Sequence, residues 1–179
     1  HLTTAILIIS IIFWQILNNR NKQIKSFFNI SKKKLPFVIL ILFLFLQITF
    51  GAFVSGLNAG KLHQTWPLMG YSYFPDDLQI NKIIDLLNFN DHSLVQFYHR
   101  NIAYLISIYI LILTFVTFKR KEAQLYKPSC LLLIVLFIQV FLGIYTLLSD
   151  LNIFISSAHQ ITSVILILTA LNLYYYAIK

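Results

Sequence analysis

The sequence predicts an all-α polytopic membrane protein, a helix bundle of about five transmembrane helices. Three observations lead there. Apolar side chains make up 58% of the 179 residues and charged ones only 11%, whereas a soluble domain carries about 25% charge. Several apolar runs reach the roughly 20 residues that cross a hydrocarbon core. Of the fourteen Lys and Arg, ten (Arg20, Lys22, Lys25, Lys32, Lys33, Lys34, Lys119, Arg120, Lys121 and Lys127) fall in two short loops between such runs. That is the mark of loops held on the inner side during insertion. The net charge of +8 therefore reads as topology, with no nucleic-acid partner.

The elements follow in order. The first run, Leu2 to Leu17, is slightly short for a full span. Asn18 to Lys34 holds six basic residues and no acid, and so faces the cytoplasm or matrix. The second run, Pro36 to Leu57, opens with a proline at a favoured first-turn position. Asn58 to Ser93 is polar and net negative, and belongs outside. Its Trp66, Tyr71, Tyr73 and Phe74 suit the headgroup layer, and Asn81 to Leu87 reads as a short surface helix. The third run, Leu94 to Phe118, returns the chain inside at Lys119, Arg120 and Lys121. The fourth, Ser129 to Leu148, leads to a tight outer loop around Asp150, and the fifth, Ile153 to Ile178, ends inside at Lys179.

Cys130 is the only cysteine, which excludes an internal disulfide and a cysteine metal cluster. It reads as a small apolar residue near a helix start. The chain opens with His1 rather than Met and shows no basic-then-apolar signal segment. It reads as a processed chain or as the downstream part of something longer.

The candidate site lies in Gln96-Phe97-Tyr98-His99-Arg100, where a histidine and an arginine enter a membrane-length run. Polar groups there are costly and mark function. His159 holds a comparable place in the fifth run. Both runs begin on the outer side, so at 1.5 Å per residue the two histidines lie roughly 8–10 Å below that boundary. At one depth on different helices, they are placed to be the two axial ligands of a single haem. The alternative is an interhelical hydrogen bond that only joins helices. A zinc site lacks its third and fourth ligands within the spans. Bis-imidazole ligation would leave the iron no open position and make such a haem an electron carrier.

Neighbouring residues bear on the same question. Gln47-Ile-Thr-Phe-Gly51 is echoed by Gln139-Val-Phe-Leu-Gly143, each followed by an outer loop and a histidine-bearing run. The chain thus reads as two helix pairs with a site between them. Gly51, Ser55, Gly56 and Gly60 form a small-residue stripe, and Ser156, Thr162 and Ser163 surround His159. Such stripes serve a planar guest or close helix packing alike. Arg100 is placed either to pair with haem propionates or to snorkel toward headgroups. Gln96, one turn before His99, cannot titrate, and the spans hold no carboxylate. Asp76, Asp77, Asp85 and Asp91 read as solvated loop residues, and His63 and His92 lie outside the membrane.

Beyond these residues a family resemblance is visible. Gly51-Ala-Phe-Val-Ser-Gly-Leu-Asn-Ala-Gly60, Thr65-Trp-Pro-Leu-Met-Gly70 and Pro75-Asp-Asp closely resemble haem A synthase of the mitochondrial and alphaproteobacterial type. So do Val95-Gln-Phe-Tyr-His-Arg-Asn-Ile-Ala-Tyr104, Gln139-Val-Phe-Leu-Gly-Ile-Tyr-Thr-Leu-Leu148 and Ala158-His-Gln160. That family has eight spans in two four-helix halves and oxidises a methyl group of haem O to the formyl group of haem A, for cytochrome c oxidase. The resemblance implies that His99 and His159 hold a haem B cofactor, and that His1 is the last ligand of the first half, on the substrate haem iron. It further implies the division of the chain. Residues 1–17 are the last helix of an otherwise missing N-terminal half, 18–35 an inner basic loop, and 36–179 the C-terminal four-helix haem-binding domain with an outer loop at 58–93.

The family's first three spans, with a Glu-x-x-His-Arg motif that supplies the catalytic carboxylate and the partner of His1, have no counterpart here. The chain is thus expected to be a fragment or one piece of a split enzyme, completed by that missing half or by a homo-oligomer, with no catalytic residue of its own. The expected setting is the mitochondrial inner membrane or a bacterial plasma membrane, with the haem sites toward the intermembrane or periplasmic side. Two other classes fit the same residues: a non-catalytic cytochrome b-like electron carrier, and a membrane assembly scaffold.

Overall fold

The computed structural model describes residues 1–28, 31–78, 80 and 82–178. Five long helices carry the chain: α1 (Leu2–Arg20), α2 (Leu35–Gly56), α3 (His92–Lys119), α4 (Tyr126–Leu148) and α5 (Ile153–Ala177). All five are long and apolar enough to cross a membrane. Each follows the apolar run expected of it, with α2 and α5 ending one residue sooner, at Gly56 and Ala177. α1 runs one turn further, to Arg20, α3 begins two residues earlier, at His92, and α4 three residues earlier, at Tyr126.

Local chemistry sets the boundaries. Pro36 sits in the first turn of α2, where a missing N–H costs nothing. Asp91 caps α3 by accepting from the Leu94 amide at 3.0 Å, and Asn152 caps α5 by accepting from the Phe154 amide at 3.0 Å. Asp150 and Leu151, both with positive φ, turn α4 sharply into α5. Leu151 then seats on Gly60, where an added Cβ would lie 3.1 Å from its Cδ2. That contact ties the short connection to the long segment at the same end of the bundle. In that segment the short surface helix expected over 81–87 is a 3₁₀ helix at Ile83–Leu87, and Asn81 lies outside the described residues.

The helices form two hairpins, α2 with α3 and α4 with α5. Contacts of α3 with α4 and of α2 with α5 close them into a four-helix ring. α3 and α5 therefore stand diagonally across the ring, while α1 packs outside it against α5 and α2. In lipid this association rests on dispersion between interlocking side chains rather than on escape from water.

One end of the bundle is basic and the other carries the 57–91 segment. At the basic end Lys25 joins the loop after α1 to the C-terminus of α5. Its ammonium donates to the carbonyls of Tyr175, at 3.2 Å, and Ile178, and lies 4.7 Å from the Tyr175 ring centroid. Those are the carbonyls a helix end leaves unpaired. Burial, with the nearby Lys34 charge, pushes the Lys25 pKa down. Trp14 donates to the Lys25 carbonyl at 2.9 Å and Tyr174 to that of Phe27 at 2.7 Å.

Side-chain burial divides the ring into two halves. Toward the basic end lies a dry core of Leu40, Ile41, Leu44, Ile110, Leu132, Ile167, Ala170 and Leu171, none more than 3% exposed. Toward the other end full burial stops. α2 has no fully buried residue after Phe50, α4 none after Leu136, α5 none before Leu166, and α3 none between Arg100 and Ile106. Both intramembrane histidines lie in this half.

Candidate functional site: a histidine pair

His99 on α3 and His159 on α5 face into the ring from its diagonal corners, near enough that a charge on one ring acts on the other. Each is seated by the preceding helix through the same two residues. A glutamine and a glycine four apart fall on one helix face. On α2 the Gln47 amide donates to the His99 carbonyl at 3.0 Å and lies 3.1 Å from Nδ1. Gly51 leaves room for the ring, since a Cβ there would come within 3.2 Å of His99 Cε1. On α4 the Gln139 carbonyl accepts from His159 Nδ1 at 3.1 Å, and the Gln139 amide nitrogen lies 3.5 Å from Nε2. A Cβ at Gly143 would come within 2.9 Å of His159 Cε1. The repeat noted in the sequence is thus a pair of histidine seats.

The residues suit a flat metal-bearing cofactor between the rings. The two imidazoles stand on diagonal helices, and both residues are half-buried. Gln47 Oε1 and Gln139 Oε1 are buried beside them with no hydrogen-bond partner. Among the described residues no group of three or more His, Cys, Asp or Glu comes together, so a zinc-type protein cage is not formed there.

The other site residues lie elsewhere. Arg100 is 8% exposed, and its guanidinium reaches up into the 57–91 segment. Nη1 donates to the carbonyls of Thr65 at 2.8 Å and Leu68 at 3.1 Å, and Nη2 to that of His63 at 2.7 Å. Its Nε is buried without a partner. Gln96, 2% exposed, donates to the same His63 carbonyl at 2.9 Å. These two residues bind the segment onto α3 just above His99. His1 is exposed at the start of α1, where its carbonyl accepts from Ala5 at 3.0 Å. No described contact joins it to His99 or His159.

The loop carboxylates, expected to be simply solvated, are built into the fold. Asp91 caps α3, Asp76 accepts from the Ser72 hydroxyl at 2.9 Å and Asp85 from the Lys82 amide at 2.8 Å. Asp77 accepts from Ser93 at 2.5 Å, and His63 Nε2 lies 3.1 Å from Asp77 and 3.3 Å from Ser93. Burial alone would raise the Asp77 pKa, but the Ser93 hydroxyl, its own backbone amide and His63 hold it below the ordinary carboxylate range. Although these are Ser, His and Asp, a hydrolytic triad needs the imidazole to bridge them through different nitrogens. Here one nitrogen meets both and the serine bonds directly to the aspartate, which makes a structural clasp.

The fold and site define a class: a polytopic helical membrane protein with a pair of histidines on diagonal helices toward one end of a four-helix ring. The chain belongs to the cytochrome oxidase assembly protein family (COX15-CtaA), whose family model matches residues 1–171. It is 40% identical over 170 residues to a protein of Pelagibacter ubique (strain HTCC1062) named heme A synthase, covering 93% of this chain and 48% of that one. Proteins of the same name from Rickettsia africae (strain ESF-5) and the Wolbachia of Brugia malayi (strain TRS) are each 36% identical, over 93% of this chain and 50% and 48% of theirs. The chain spans about half the length of the curated relatives it matches. No solved structure matches it.

Proposed function

We propose that this chain is the haem B-binding half of a haem A synthase, which oxidises the haem O methyl group to the formyl group of haem A for cytochrome c oxidase. The observation that carries this reading is the placement of His99 and His159. They stand on diagonal helices, in the half of the bundle where fully buried side chains become sparse. With both axial positions taken by imidazole, the bound haem would pass single electrons. The protein's task is then to hold the two rings, through Gln47 with Gly51 and Gln139 with Gly143, and to cover their level with the 57–91 segment. Arg100 secures that cover and keeps its Nε toward an acidic group of the cofactor. Residues 1–17 belong, in this reading, to the substrate half, with His1 as a ligand of the haem O iron. The basic loops at the opposite end of the bundle support a location of both haem sites toward the intermembrane or periplasmic side.

A second reading, an electron-carrying cytochrome without catalysis, is favoured by one observation: none of the five helices contains Asp or Glu. Chemistry on a methyl group would draw its acid–base residue from elsewhere. Co-expression with the N-terminal half of one of the relatives, in cells supplied with haem O, separates the two. Haem A formation that depends on His99 and His159 supports the synthase. Retention of a bound haem with no conversion supports the carrier.

A further inference from the structure

The two histidines share a motif but are not held by the same group. His159 Nδ1 faces the Gln139 backbone carbonyl at 3.1 Å. A carbonyl only accepts, so Nδ1 carries the proton and Nε2 keeps the lone pair that a metal needs. No side-chain substitution at position 139 removes that carbonyl. His99 Nδ1 instead faces the side-chain nitrogen of Gln47 at 3.1 Å, with Nε2 further from it at 3.5 Å. An amide nitrogen only donates, so Nδ1 accepts and the proton sits on Nε2. That tautomer has no lone pair to offer through Nε2. The other amide atom, Gln47 Oε1, is buried without a partner.

Resting on the haem reading above, we infer that Gln47 is a positioning residue for His99, and that its amide turns over when Nε2 becomes an iron ligand. Oε1 then replaces the amide nitrogen opposite Nδ1 and accepts its proton. Within the ring Nε2 loses one proton and Nδ1 gains one, so none is exchanged with solvent in the balance. The turn gives Oε1 the partner it lacks, at the expense of the 3.0 Å bond to the His99 carbonyl. One axial ligand is therefore fixed by the main chain and the other by a replaceable side chain. A stronger acceptor at Nδ1 leaves more electron density on the imidazole and favours the oxidised iron.

The test is a redox titration of the haem-loaded chain in detergent, for wild type, Gln47→Glu and Gln47→Leu. Midpoint potentials are expected to rise in the order Gln47→Glu, wild type, Gln47→Leu. Nitrogen-15 NMR of the haem-free chain provides a measurement that needs no variant to fold, and is expected to find the proton on Nε2 of His99 and on Nδ1 of His159. Unchanged potentials in haem-retaining Gln47 variants, or a proton on Nδ1 of His99 in the haem-free chain, would overturn the inference alone. A wild-type chain that takes up no bis-histidine haem would overturn the haem reading and this inference with it.

Discussion

Gly143 and His159 are in such close register that a single methyl group at position 143 would lie 2.9 Å from the imidazole Cε1. The corresponding separation from Gly51 to His99 is 3.2 Å. The glycines are therefore part of the histidine seats, and their conformational freedom is secondary. Gly143→Ala is expected to displace the His159 ring and sharply reduce bound haem, with an overpacking cost of about 1–3 kcal/mol. Gly51→Ala is expected to be milder, because a few tenths of an ångström suffice. Haem-to-protein ratios of the two purified variants give the comparison, and equal, undiminished loading would contradict it.

Arg100 binds three carbonyls of the 57–91 segment through both terminal nitrogens, a geometry that a planar fork meets and a point charge does not. Arg100→Leu is expected to release the segment. At about 1.5–3 kcal/mol for each hydrogen bond to a charged group, losing one of them already means roughly tenfold faster cleavage in limited proteolysis. Arg100→Lys is expected to restore little of the protection. Peptide mapping of cuts within 63–78 reads the result.

The Asp77 clasp sets a pH dependence. Its carboxyl is held below the ordinary range by the Ser93 hydroxyl, its own backbone amide and His63, against the upward push of burial. The unfolded segment thus binds the proton more readily than the folded one. The contribution to stability is full above about pH 4 and fades as pH falls through the lower folded value. Hydrogen exchange in the 63–93 segment is expected to quicken below that point. Asp77→Asn should remove this step while leaving exchange in the helix interiors unchanged.

Much of the fold was legible because lipid imposes a simple rule on sequence. Five apolar runs and two basic loops suffice for the helices, and the Asp91 and Asn152 caps sharpen their ends. The histidine pair stood out for the same reason. The roles of Gln47, Gly51, Gln139 and Gly143 were visible only as a repeat, since the spacing does not reveal which ring a face will meet. Arg100 shows a further limit. A buried guanidinium needs acceptors, but whether a cofactor or a loop supplies them depends on how residues 63–68 return over α3. Asp77 and Ser93 lie sixteen residues apart, and their bond depends on the same return.

The most direct test of the bis-histidine site is a reduced-minus-oxidised visible spectrum of the purified chain in detergent, beside His99→Ala and His159→Ala. A low-spin haem B signal in the wild type, lost in both variants while their helical content is kept, is the expected result. A well-folded wild-type chain without bound haem, or a variant that keeps the full low-spin signal, would contradict it.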